Sequence, residues 1–366
     1  RLYCFINKRI KFIMAYTTIN KSTDYFNTKL YTGNGSTNAV TGVGFQPDFV
    51  WIKDRTGTNN HELNDSVRGV NHQVFSNLTN AETTPTNHLN AFGTDGFTLG
   101  DDGSVNTNSS NYCSWNWKAG TTGSGNTTGS GTYKSYNYSV NTTSGFSIVK
   151  YTGNGTAGQT IPHHLGAVPK MIMVRIRGSV NDWQVYHSAI GNTERLILND
   201  NSDKSDQQNR WNDTSPTSSV FTLGGHSSVN ANDEDYIAYV FAEKQGYSKF
   251  GSYTGNGNAD GVFVYTGFKP SWLMIKRYGT TGHWHIFDIK RNPYYPTSSS
   301  YGGMATRLMA NLNYGDDLSQ GGFEFLSNGL KMTTSWDEGN GSGNSFIYMC
   351  FGQSLVGSNN VPCTAR

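Results

Sequence analysis

The amino-acid sequence predicts an all-β protein made of three tandem antiparallel β-sandwich repeat units, and three observations carry that prediction. Hydrophobic residues make up only 35% of the 366-residue chain, while Gly numbers 43 and aromatics reach 13%, a balance that suits short strands with aromatic cores and Gly-rich turns rather than long helices. One string, Tyr-Thr-Gly-Asn-Gly, occurs three times, at residues 31–35, 151–155 and 253–257. An aromatic, strand-like segment then closes each of the stretches that these strings open.

Residues 1–13 contain Arg1, Lys8, Arg9 and Lys11 and no acid. Basic residues interrupt the apolar positions there, unlike the uninterrupted apolar region of an export signal. Met14 is read as the start of translation, and 1–21 as a leader and N-terminal segment. Without those four cations the 28 basic residues fall to 24 against 26 acidic ones, which leaves no electrostatic basis for nucleic-acid binding. No run approaches the roughly 18 apolar residues that cross a bilayer, so no membrane insertion is expected.

The first unit is assigned to 22–120. Its Asn34-Gly35 pair, flanked by β-forming runs, reads as a hairpin turn, because both residue types tolerate positive φ. A Pro-led apolar strand follows in each unit, from Phe45 to Lys53, Val168 to Arg175 and Phe268 to Lys276; Pro at a strand entrance costs no ladder donor. Gly96-Phe97-Thr98-Leu99 is aligned with Val220 to Leu223 and with Gly322 to Leu326. The closing strands are 112–118, 236–242 and 346–352. In the first, Cys113, Trp115 and Trp117 alternate with Ser114, Asn116 and Lys118, the period of a strand with one buried face.

Residues 121–144, rich in Gly, Ser and Thr, have the composition of a flexible linker. The second unit spans 145–245, the third 246–355, and 356–366 form a C-terminal tail. Only Lys244-Gln245-Gly246 joins the last two units, which are expected to pack together; the alternative is a closed three-part assembly sharing one core. Each unit, near 100 residues, is long enough to fold as a jelly-roll or lectin-like sandwich. With Cys4 in the leader, Cys113, Cys350 and Cys363 leave an odd count, a poor disulfide framework, and the two strand cysteines are expected to be buried thiols.

Chemistry-bearing motifs are few. Gly153-Asn154-Gly155-Thr156-Ala157-Gly158 fits a dinucleotide pattern but lacks a following helix, and reads as a turn. The histidines of His283-Trp284-His285 share a strand face, yet Trp284 aligns with Trp183 and His61 and neither copy repeats the pair, so an inward Trp with two solvent-facing His is expected. His163-His164, the acidic run Asp233-Glu234-Asp235 and the loop Asp200 to Asp206, which lacks the Gly and distal Glu of a calcium loop, are read the same way. No metal or other cofactor is expected. Asp65-Ser66-Val67-Arg68 and Asp288-Ile289-Lys290-Arg291 share a spacing that suits a turn-fixing ion pair, while His187 and Ile190 occupy those places in the second unit. There is no GxSxG, HExxH or Walker loop, and no carboxylate pair can be nominated for glycoside cleavage, so a non-enzymatic protein is expected. Tyr133, Tyr136 and Tyr138, together with Tyr294 and Tyr295, are the candidate glycan contacts, since flat rings pack on pyranose faces; the alternative is that they cap hydrophobic edges or lie in an oligomer interface.

The units resemble repeats of virion proteins from marine tailed bacteriophages. The residues that carry this are Tyr-Thr-Gly-Asn-Gly, the Pro-led strand ending in Ile-Lys, the run from Asp235 to Gly257 that joins one unit to the next, Phe323 to Lys331, and the terminal Thr364-Ala365-Arg366. The match covers the chain from about Lys21 onward and is strongest in the third unit; the first departs by closing on Trp115-Asn116-Trp117-Lys118. The resemblance implies a tail-fibre-like or capsid-surface protein in the virion, in contact with other virion proteins, host-surface glycan or further copies of itself. It implies no catalytic residues.

Overall fold

The computed structural model describes residues 17–291, 306–319 and 321–354. Met14, Cys4, Cys363, Tyr294, Tyr295 and the C-terminal tail lie outside them. The protein is all-β with antiparallel sheets and no barrel, and helix among the described residues is confined to single turns.

In the first segment Phe26–Thr32, Asn111–Trp117, Phe49–Asp54, Glu62–Asp65 and Val74–Phe75 lie side by side in a five-stranded sheet, and Asn38–Thr41, Gly96–Leu99 and Leu89–Gly93 form a three-stranded cover. The third segment has the same order: Ser248–Thr254, Ser345–Gly352, Pro270–Tyr278, Trp284–Asp288 and Leu308–Met309 beneath Phe263–Tyr265, Gly329–Met332 and Phe323–Leu326. In the second, Phe146–Thr152, Asp235–Phe241, Met171–Ile176, Gln184–His187, Glu194–Ile197 and Ser205–Asp206 keep this order, but Ser135–Asn141 and Thr121–Asn126 extend the first edge to an eight-stranded sheet.

Several expectations are corrected. The Gly/Ser/Thr-rich 121–144 segment is not a tether, because its glycines make room for neighbouring rings. Gly123 and Gly125 pair with Tyr138 and Tyr136, and a Cβ at either would come within 2.6 Å and 2.7 Å of the phenol oxygens. Thr128–Gly129 continues into the cover sheet beside Gln159–Pro162. The partner of the first cover strand is Gly96–Leu99 in one segment and Gly329–Met332 in another, so Phe323–Leu326 takes the place of Leu89–Gly93 rather than that of Gly96–Leu99. Ser114 and Asn116, expected on a solvent face, are buried because the cover lies over that side.

The repeated Tyr-Thr-Gly-Asn-Gly is a corner between sheets, not a hairpin, since the strands on either side of it belong to different sheets. Only its second Gly has positive φ, 68°, 72° and 65° at Gly35, Gly155 and Gly257. The first Gly is needed for contact: a Cβ on Gly33, Gly153 or Gly255 would lie 2.1, 2.3 or 2.4 Å from a carbonyl oxygen of Thr107, Ala231 or Gly341. One buried Asn fastens each corner. The Asn106 Nδ2 donates to the carbonyls of Ser36 and Gly100, that of Asn230 to Thr156 and Gly224, and that of Asn340 to Asn258 and Thr334. Their side-chain oxygens accept the N–H of Asn34, Asn154 and Asn256. Replacing Asn340 by Ala strands these groups in the interior and is expected to cost about 2 kcal/mol, measured as a fall in urea midpoint at constant m-value.

Each sandwich has its own local core, and the outward faces of the three large sheets meet in one further core. Trp51, Trp115 and Trp117, Met173, Tyr239 and Phe241, and Trp272, Met349 and Phe351 all belong to it. Three closing-strand aromatics face each other at its centre, with Trp117–Phe241 and Phe241–Phe351 centroids 6.3 Å apart and Trp117–Phe351 5.8 Å. The arrangement is closed. The indole N–H of Trp183 donates to the Phe75 carbonyl at 2.7 Å, that of Trp284 to Ile197 at 2.8 Å, and that of Trp115 to the Asp288 carboxylate at 3.1 Å. The segments therefore share three seams, not the single one expected between the second and third.

The loop around Asn201, expected to be solvated, seals a seam: Lys276 donates to the Asn201 and Ser202 carbonyls and Asp203 accepts from the Gly279 N–H. At the same strand end Lys53 donates to the Asp54 carbonyl, at 2.6 Å. Burial holds both lysines down at about 8. Cys113 and Cys350 are buried free thiols.

Candidate functional site

The tyrosines nominated from sequence divide. Tyr133 is 61% exposed. Tyr136 is buried, its hydroxyl 2.9 Å from His164 Nε2, and Tyr138 stacks on the His164 ring at 3.8 Å between centroids. His164 reaches there from the cover-sheet side with φ 59°. Tyr136 and Tyr138, lying against Gly125 and Gly123 on one side and His164 on the other, cap a hydrophobic edge; among the three described residues only Tyr133 offers an open ring.

His283, Trp284 and His285 part as follows. Trp284 points into the common core, but His285 is buried rather than solvent-facing, because the cover and the single helical turn Asp337–Asn340 close over its face. Its Nε2 is 2.6 Å from Glu338 Oε2. His283 takes Asn311 on Nδ1. His163 is buried while His164 faces Tyr138, so that pair does not converge either. Among the described residues no group of three or more His, Cys, Asp or Glu could hold a metal ion.

A cleft of about 780 Å³ opens beside His285, in the third sandwich. Its walls are Trp336 and Tyr314, with Arg307, Asp317, Asp337 and Glu338 on the rim. Each ionic group is held by a partner. Arg307 pairs with Asp317 at 2.7 Å and lies 4.9 Å over the Trp336 ring; Asp337 pairs with Arg277; Glu338 takes the imidazole N–H of His285. A neighbouring cleft of about 570 Å³ shares Tyr314 and Asp317 and is walled by Arg55 and Thr56 of the first sandwich. It is braced by the 2.8 Å Arg55–Asp316 ion pair. Sequence reasoning passed over Trp336, Tyr314 and Arg307. The signal for Trp336 was a departure from the repeat, since Asp102 and His226 stand at the start of the equivalent helical turns.

Burial lowers the His285 pKa to about 4 against the pull of Glu338. Glu338, whose burial alone would raise it, is brought down to about 2 by the His285 hydrogen bond and the two nearby histidines. Asp317 is likewise lowered, its own burial outweighed by Ser319 and Arg307. At neutral pH the contact is a neutral imidazole donating to a carboxylate. Neither of these acids is poised to give up a proton there.

Buried histidines also set an acid limit. His187, in the seam against the Tyr348 carbonyl, is lowered to about 4 by burial. Because its folded pKa lies below the unfolded value near 6.5, the unfolded chain binds more protons between those values. The stability is fully present above about pH 6.5 and is lost as pH falls towards 4, on the order of 3 kcal/mol for this site. Thermal melts at pH 7 and pH 4.5 should show the drop, and His187→Gln should flatten it.

No helix among the described residues is long and apolar enough to cross a membrane. No match was found among curated proteins. Residues 21–354 match the family described as a domain of unknown function (DUF7483), and the chain belongs to that family.

Proposed function

We propose that the protein is a non-enzymatic structural component of a phage particle, tail-fibre-like or on the capsid surface, that meets the host surface. The observation that supports this reading is the closure of three sandwiches on one aromatic core, which makes a rigid body from which loops of neutral polar residues project. Such a body keeps its contacts in fixed relative positions, so little ordering entropy is lost on binding. The repeat resemblance to virion proteins of marine tailed phages points the same way. Its partners in this reading are other virion proteins, host-surface glycan and further copies of itself. Mass spectrometry and immunogold labelling of gradient-purified particles test it: the protein should be present at a fixed stoichiometry, and its absence from particles sinks the reading.

The cleft beside Trp336 favours a second reading, a carbohydrate-binding module. Cleavage is disfavoured, because Glu338 and Asp317 are held ionised where a glycosidase needs one carboxyl with a raised pKa. A reducing-end assay on any bound glycan separates holding from cutting.

A further inference from the structure

The cleft of the third sandwich combines three features that restrict what it can take. Its size, about 780 Å³, lies within the range of small-ligand sites. Its aromatic surface comes from the half-buried Trp336 and from Tyr314, 56% exposed. Its polar rim mixes donors and acceptors fixed by ion pairs, Arg307 by Asp317 and Asp337 by Arg277, with the exposed Ser335 also in the lining. A sugar ring presents apolar C–H faces and hydroxyls that both donate and accept, which fits a flat ring bordered by such a rim.

Charge narrows the class further. The lining carries one cation, Arg307, against Asp317, Asp337 and Glu338, and Arg307 is already committed to Asp317 and to the indole face. An anionic sugar or a phosphate would meet the Glu338 carboxylate, whose His285 partner is neutral, and a lining cation already committed to Asp317. A neutral sugar meets hydrogen-bond acceptors, and an amine-bearing one gains an ionic contact.

The other sandwiches do not repeat this arrangement. Where the third has His285 opposite Ile275, they have Glu62 opposite Ile52 and Gln184 opposite Val174, and at the Trp336 position they have Asp102 and His226. We infer that the Trp336–Tyr314 cleft is a single saccharide site for neutral or amine-bearing sugars, which would make this one sandwich the receptor-contacting part of the molecule. The inference rests on the adhesion reading and gives its contact an address and a ligand class.

The test uses the full chain with three probes, the N-acetylglucosamine trimer, the glucosamine trimer and 3′-sialyllactose, followed by saturation-transfer NMR and tryptophan fluorescence. Binding by one of the first two and none by sialyllactose is expected. Trp336→Ala should weaken it at least tenfold. Because Trp336 also packs on His285 and Phe323, the exposed positions Tyr314→Ala and Asp337→Asn provide variants that leave the fold intact; each should weaken binding several-fold, while Tyr133→Ala should leave it unchanged. Preference for sialyllactose, binding indifferent to Tyr314 and Trp336, or no binding by either neutral or amino trimer overturns the inference. These outcomes stand apart from the particle assay: a virion protein that ignores all three sugars refutes this site alone, whereas a sugar-binding protein absent from virions refutes the adhesion reading.

Discussion

Replacing Trp117 by Ala is expected to lower stability by about 3–5 kcal/mol, and to do so in one unfolding transition for the whole molecule. Trp117 is 1% exposed and touches all three segments: Phe26 and Phe49 in its own, Phe146 and Phe241 in the second, Trp272 and Phe351 in the third. Removing the ring leaves a cavity at the meeting point of three sheets, none of which can close over it without disturbing the other two. Trp117→Phe should cost much less, because Phe241 and Phe351 already stand at the corresponding positions. It also removes an indole N–H that has no acceptor among the described residues. Urea unfolding followed by both tryptophan fluorescence and far-UV circular dichroism checks this. Separate transitions for the three sandwiches would mean that their common core does not couple them.

Asp65→Ala is expected to cost a comparable 3–5 kcal/mol, for a different reason. The Asp65 and Arg68 side chains are fully buried and 2.5 Å apart. Arg68 also donates to the Leu63 carbonyl and the Tyr239 hydroxyl, and that hydroxyl donates back to Asp65. Ala at 65 leaves a guanidinium with only Glu82 as counter-charge and a tyrosine hydroxyl without its acceptor. The second segment indicates the remedy. It has His187 and Ile190 in these places, with His187 resting on the Tyr348 carbonyl across its own seam. The double replacement Asp65→His with Arg68→Ile should therefore cost less than half of Asp65→Ala, since no buried charge is left unpaired. A double variant as unstable as the single one would show that the ion pair itself, not its balance, holds the seam.

The Asp-x-x-Arg spacing was legible as an ion pair because Arg at i+3 of a turn reaches back to its carboxylate, and local geometry suffices for that. That the pair lies in an interface was not legible: Tyr239 is 174 residues from Asp65, and no spacing encodes such a contact. The same limit explains the linker. Gly, Ser and Thr in 121–144 read as flexible because composition reports only intrinsic freedom. In the fold, Gly123 and Gly125 are where Tyr138 and Tyr136 lie, so absence of side chains there serves packing. The candidate site fared similarly. Tyr136 and Tyr138 looked free as part of a Tyr-rich loop, yet His164 from the other sheet covers them, while Trp336 passed unnoticed because Asp102 and His226 stand at the start of the equivalent turns and no aromatic recurs there.

By itself the sequence determined the recurring strands of the three segments, though not those within 121–144. Alternating apolar residues, Pro at strand entrances and glycines at turns act through the chain's own sterics and hydrogen bonds, over a few residues; they did not show that the glycine turns join different sheets. Tertiary structure alone decided which faces were buried and where a cleft opened, because each cover lies over one face of its large sheet and leaves the apolar back to be removed from water by the other two sheets. The three backs meet in a common core, which brings Arg55 of the first sandwich to Asp316 of the third and leaves Trp336 at the edge of a concave surface.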